Sequence, residues 1–178
     1  MPTTKEILLE YPALYARYSR ACVEYAEALI PPPRLTATEP REGWQRECAA
    51  LFSEDTTPDP RRVNFYVDDV GNTGKTWMCQ YAVTNYPDKV QVLTVGKRED
   101  LAYAVDIEKT VFLFDVPRDS MTYLSYQLLE MLKNRMVFSP KYASRMKILR
   151  SVPTVIVFSN EPPEMTKMSA DRYYVTNI

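Results

Sequence analysis

The chain has 178 residues, enough for one globular domain with a small appended element. Hydrophobic residues make up 46% and charged residues 25%, an ordinary globular balance, and the net charge of −1 by itself points to no nucleic acid. Histidine is absent, which excludes Ser-His-Asp and Cys-His catalysis and every metal site that requires imidazole.

At the N-terminus, "MPTTKEILLEY" lacks the basic-then-apolar layout of a secretion signal. Thr3 and Glu6 have capping-box spacing for a short helix, "TKEILLEY", which Pro12 breaks or restarts. "ALYARYSRACVEYAEALI" then sets Leu14, Tyr18, Cys22, Tyr25 and Leu29 at helical spacing, and "PPP" at 31–33 ends that helix. Residues 1–33 therefore read as a small helical segment whose apolar face needs another surface, its own core or a neighbouring subunit. Residues 34–60 read as linker and helix: "REGWQRECAALFSED" is amphipathic, with Trp44, Cys48 and Leu51 on one side.

From residue 61 to 178 the texture changes. "VNFYV", "VQVLTV", "TVFLFDV" and "TVIVFSN" are nearly continuous apolar runs, as in strands buried on both faces of a parallel sheet. Helical patterns lie between them: "KTWMCQYAVTNY", "REDLAYAVD" and "SYQLLEMLKN". The expected class is α/β, a parallel sheet flanked by helices. No apolar run approaches the ~20 residues that cross a bilayer. Cys22, Cys48 and Cys79 are odd in number and widely spaced, so they suggest neither a disulfide framework nor a zinc site, and an intracellular location is expected.

The first run is followed by "DDVGNTGKTW". A phosphate loop has the form G-x-x-x-x-G-K-[ST]. Gly74, Lys75 and Thr76 match it, and Asp69 stands where the first glycine belongs. Gly71, Asn72, Thr73 and Gly74 would close backbone N–H groups around phosphates, Lys75 would neutralise them, and Thr76 would offer its hydroxyl to Mg²⁺. The alternative is a tight strand-to-helix turn with a surface lysine. A carboxylate aimed at phosphate is repelled, so Asp69 is expected to turn away or to contact local backbone.

Three later stretches add to it. "TVFLFDVPRD" ends a strand in Asp115, forty residues beyond Lys75, where a carboxylate can hold Mg²⁺ through water; the alternative is an ordinary acid at a strand end. Its neighbours Phe114 and Val116 supply no second acid as a general base. "TVIVFSN" ends in Asn160, either an amide that orients water against a terminal phosphate or simply the start of the turn before Pro162. Arg172 in "SADRYYV" is either an ion-pair partner or an arginine that reaches the nucleotide of an adjacent subunit.

Charge is unevenly distributed. Residues 1–60 hold six basic and ten acidic residues, whereas residues 131–160 hold no acid and six bases, Lys133, Arg135, Lys141, Arg145, Lys147 and Arg150. Phe138 and Tyr142 lie among them. Cations with interleaved aromatics hold single-stranded nucleic acid without sequence preference; the alternative is a solvated basic hairpin or helix.

With these stations in this order the chain resembles a superfamily 3 helicase domain of replication-initiator (Rep) proteins from small circular single-stranded DNA viruses, nanoviruses and alphasatellites above all. "WQ" at 44–45, "VGNTGKT", "VGKREDLAYAVD", "FDVPR", "MLKNRMVFSPKY", "VIVFSN" and "SADRYYV" carry the resemblance over about residues 40–178. It implies an AAA+-like ATPase that uses ATP and Mg²⁺, forms a homo-oligomeric ring (usually a hexamer), translocates 3′-to-5′ on single-stranded DNA and works in the host nucleus. By position Lys75 and Thr76 are Walker A, Asp115 is Walker B, Asn160 is the motif C sensor and Arg172 the arginine finger. Lys141 matches a channel-facing hairpin, with Arg145 and Lys147 sharing that task, and the N-terminal helices match the oligomerisation segment. Such proteins begin with an endonuclease domain that uses paired histidines; a chain without histidine is expected to be a helicase domain alone or a shortened protein, and not to nick or join DNA. Two other readings compete with a motor: an oligomeric DNA-binding ATPase that does not unwind, and a small-molecule kinase, for which no lid or acceptor pocket is visible.

Overall fold

The computed structural model describes residues 4–30, 33–36, 38–52, 57–142 and 144–178. Thr3 with its capping box, the first two prolines of "PPP" and the end of the predicted helix at 53–55 lie outside these residues. The chain divides into two compact units, Met1–Arg34 and Leu35–Ile178.

The first unit comprises α1 (Thr4–Glu10) and α2 (Pro12–Leu29). Pro12 opens α2 at its first position, where a missing N–H costs nothing, so it restarts the helix. A non-helical Tyr18 (φ −132°, ψ 30°) kinks α2. Leu9, Leu14, Tyr18 and Tyr25 are exposed.

The second unit is a parallel sheet with helices on both faces. Its elements are α3 (Trp44–Ala50), β1 (Val63–Val67), α4 (Lys75–Asn85), β2 (Val90–Leu93), α5 (Arg98–Ala104), β3 (Val111–Asp115), α6 (Tyr126–Lys133), β4 (Met136–Ser139), β5 (Arg145–Ile148), β6 (Thr154–Ser159) and β7 (Tyr173–Asn177). The sheet has five parallel strands in the order β2-β3-β6-β1-β7, and β4 and β5 form a separate antiparallel hairpin.

Strand periodicity explains the continuous apolar runs. Phe65, Phe112, Phe114, Val155 and Val157 point into a core shared with α5 and α6 through Leu101, Leu128 and Leu132. Their neighbours Tyr66, Leu113, Ile156 and Phe158 point the other way, onto Cys48 of α3 and Met78 and Ala82 of α4. The four predicted strands and the three helices between them are present. α3, read as an amphipathic helix within residues 34–60, contributes Cys48 to one of the two cores, with Trp44 and Leu51 packed against it. The last strand, β7, was not predicted; it pairs with β1 from Val63↔Tyr173 to Val67↔Asn177.

β6 lies between β1 and β3, so the three loops that leave their C-terminal ends emerge side by side. In open parallel sheets this edge is where ligands bind.

Candidate nucleotide site

The loop between β1 and α4 turns on three residues with positive φ: Gly71 (96°), Asn72 (67°) and Gly74 (101°). That path turns backbone N–H groups toward a common centre, the geometry of an anion-binding nest. Side-chain ends also crowd two of the glycines. A Cβ at Gly71 would come within 2.7 Å of Arg118 Nη2, and one at Gly74 within 2.7 Å of Gln45 Nε2. Gly74 caps α4, so Lys75 and Thr76 open that helix at its positive end.

Four of the residues expected at the site do meet, and Arg172 is not among them. Lys75, Thr76, Asp115 and Asn160 line one cavity of about 550 Å³, along with Asp68, Gly71, Asn72, Gly74 and Arg118. Thr76 Oγ1 donates to Asp115 Oδ2 at 3.2 Å. These two hard oxygens, from the start of α4 and the end of β3, suit a magnesium ion held in part through water. Asn160 Nδ2 donates to the Asp68 carbonyl at 2.6 Å and so ties the end of β6 to the start of the loop.

Sequence reasoning missed three residues here. Asp68 is fully buried; its carboxylate accepts from Gly71 N (2.6 Å), Thr73 N (3.2 Å), Thr73 Oγ1 (2.7 Å) and Lys75 Nζ (2.8 Å). Burial raises the pKa of this carboxyl, but the bonds from Lys75, Thr73 and the loop amides together outweigh it and hold the group well below the usual carboxylate range. Gln45, also buried, accepts from Arg41 N at 3.0 Å and donates to the Thr73 carbonyl at 3.0 Å, where Arg41 Nη2 also donates. This pair clamps the loop from behind. Arg118, three residues beyond Asp115, lies over Gly71 and donates weakly to Val70 O at 3.4 Å. The signals were present as "WQ" and "FDVPR", but only as matching strings. Asp69, by contrast, is exposed and does not line the cavity; its carboxylate was expected to turn away.

No family model matches the chain. Among curated proteins it is 34% identical to Para-Rep C6 of Subterranean clover stunt C6 alphasatellite, over 72% of this chain and 45% of that protein. It is 42% identical to Para-Rep C2 of Milk vetch dwarf C2 alphasatellite, over 75% of this chain and 46% of that one. With the master replication protein of Faba bean necrotic yellows virus (isolate Syrian SV292-88) the identity is 36%, over 74% and 44%. The chain belongs to the nanovirus and alphasatellite Rep family. This Rep chain spans a little under half the length of those relatives. A solved structure, the A form apo structure of NrS-1 C terminal region, covers 66% of the chain and 29% of its own at TM-score 0.46 and 12% identity.

The remaining predicted residues of the Rep chain lie elsewhere, and two need correction. Arg172 is 4% exposed, at the start of β7 and level with the start of β1. That is a strand's length from the loop. Its Nη2 donates to Asn134 Oδ1 at 3.1 Å, and Nε lies 3.3 Å from Glu130 Oε1, near enough for an ion pair but without hydrogen-bond geometry. A side chain buried within its own subunit is not extended toward a neighbour's nucleotide. Lys147 is also buried: its ammonium donates to the carbonyls of Tyr103 and Val105 (2.6 Å for the latter), at the C-terminal end of α5. It anchors the hairpin to α5 rather than facing solvent. Lys141, at the hairpin turn, pairs with Asp100 and is half exposed. Lys133 is bonded to Pro153 O, Arg135 to Leu149 O and Arg150 to Glu108. Of the six cations, Arg145 alone is exposed without a hydrogen bond or ion pair among the described residues.

Proposed function

We propose that this chain is the ATPase core of a viral replication protein, an AAA+-like P-loop domain that hydrolyses ATP and uses it to move on single-stranded DNA. The observation that carries the reading is the convergence of Lys75, Thr76, Asp115 and Asn160 on one cavity at the C-terminal ends of β1, β3 and β6. Lys75 would hold the β- and γ-phosphates, with the start of α4 and the loop amides that Asp68 does not take around them. Thr76 and Asp115 would hold Mg²⁺, which when bound neutralises charge on the phosphate oxygens. Asn160 has its amide nitrogen committed to Asp68, so its oxygen is the atom left to accept a bond from the attacking water. Arg118 lies beside Gly71 and Asn160, on the side of the loop where the terminal phosphate would sit, and supplies a cation there from the same chain.

Membership in the Rep family supports superfamily 3 helicase activity, with 3′-to-5′ movement, a ring of six or so copies, DNA as the track and the host nucleus as the place of action. The exposed apolar side chains of α1 and α2 fit an assembly role for the first unit. One observation favours a second reading, an oligomeric DNA-binding ATPase that does not unwind: five of the six cations in the acid-free stretch are engaged within the protein. The two readings differ in one assay. A motor shows ATP hydrolysis stimulated by single-stranded DNA and separates a tailed duplex; hydrolysis that DNA does not stimulate, or that separates no strands, leaves the module.

A further inference from the structure

We propose that Asp68 is an internal anion that competes with the nucleotide's phosphates for Lys75, so that nucleotide binds only by drawing that lysine away. This rests on the nucleotide-site reading above and deepens it.

Burial constrains Asp68 first. A carboxylate with no exposure is tolerated only when its charge is met by donors, and the four that meet Asp68 all come from the phosphate loop itself. Two are backbone amides inside the turn, at Gly71 and Thr73. The third is the hydroxyl of Thr73, and the fourth is the Lys75 ammonium, whose side chain is only 10% exposed. These are the kinds of donor a phosphate would recruit. Asp68 therefore does within the protein what a bound phosphate does: it holds the loop in its positive-φ path and neutralises the lysine.

Asp68 and a polyphosphate cannot hold the lysine equally well together. Two anions on one ammonium repel each other, and the low dielectric of a buried site strengthens that repulsion. As the lysine turns to the phosphates, Asp68 keeps the loop amides but loses its charged partner. The lost charge-assisted bond is subtracted from nucleotide affinity. The loop is thus preformed without nucleotide, and it is also biased toward letting nucleotide go. The carboxylate that sets affinity is the buried Asp68, not Asp69, which faces solvent one residue later.

The experiment is an equilibrium titration of a non-hydrolysable ATP analogue with Mg²⁺ into the unaltered chain, Asp68→Asn and Lys75→Ala. Asparagine keeps an oxygen for the Gly71 amide and removes the charge. A charge-assisted bond corresponds to roughly a ten- to hundred-fold change in affinity, so Asp68→Asn is expected to bind at least about tenfold more tightly. It should also melt at a lower temperature than the unaltered chain when nucleotide is absent. Equal or weaker binding by Asp68→Asn, with binding by the unaltered chain still dependent on Lys75, overturns the competition and leaves the nucleotide site standing. If Lys75→Ala binds like the unaltered chain, the nucleotide-site reading falls and this inference with it. Should Asp68→Asn fail to fold, a structure of the unaltered chain with the analogue decides: Lys75 Nζ must leave hydrogen-bond distance of Asp68, and a retained contact overturns the proposal.

Discussion

At the scale of single residues, the loop is held from two sides. Asp68 fills its inner side, and Gln45 and Arg41 grip the Thr73 carbonyl from outside. Gln45→Ala leaves the Arg41 amide without its acceptor and removes one donor from Thr73. We expect a loss of about 1–3 kcal/mol in denaturant unfolding, together with weaker nucleotide binding. A change in stability with unaltered nucleotide affinity would show that the clamp does not reach the site. Lys75, Thr76 and Asp115 were legible in the sequence as candidates because the roles proposed for them depend on a local pattern at a strand end. Asp68 and Gln45 were not, because each acts through a contact that exists only after folding. Two aspartates in a row offer no linear sign of which is buried. Arg172 shows the converse: an arginine in the expected order along the chain, turned by β7 into the protein's interior.

At the scale of elements, the sheet was readable because strands covered on both faces are continuously apolar. β7 was missed because its pattern is mixed, with exposed Tyr174 and Val175 at a sheet edge. The stretch that forms the hairpin of β4 and β5 stood out by composition, which left hairpin and helix both open. Six bases without an acid suggested a cationic surface, yet the carbonyls that end α5 and the acids Asp100 and Glu108 lie outside the counted stretch. Alternation along the hairpin buries Val137, Ser139 and Lys147 and exposes Met136, Phe138, Met146 and Ile148. Of its cations, Arg145 is the one without a side-chain hydrogen bond or ion pair among the described residues, and so the one free to meet a phosphate. Arg145→Ala is expected to weaken binding of single-stranded DNA and to lower the slope of log affinity against log salt by about 0.7, the share of one phosphate contact. Binding titrations at several salt concentrations measure both; an unchanged slope would remove Arg145 from the DNA surface.

At the scale of the whole molecule, the core shared with α3 and α4 fixes how stability responds to alkali. Burial pushes the Cys48 and Cys79 thiols and the Tyr66 phenol upward, and Tyr81 is pushed up to about 12 for the same reason. Groups raised in the folded state hold more protons there than in the unfolded chain once pH passes their ordinary values, 9.0 for the thiols and 10.0 for the phenols. Stability is therefore full below about pH 9 and falls as pH rises through 10 and beyond. Lys133, its pKa lowered by burial to about 8, and Lys147, lowered by burial as well, act in the opposite sense, but Tyr126 and Tyr173 are raised along with those four groups. Denaturant unfolding at about pH 8 and about pH 10.5 checks the sign; equal or greater stability at the higher pH would contradict it.

The central claim concerns chemistry at one loop, and steady-state ATP hydrolysis with Mg²⁺ and single-stranded DNA tests it most directly. The unaltered chain should turn over ATP faster when DNA is added, and Lys75→Ala should lose that turnover while melting as a folded protein. Hydrolysis that survives Lys75→Ala would contradict the account.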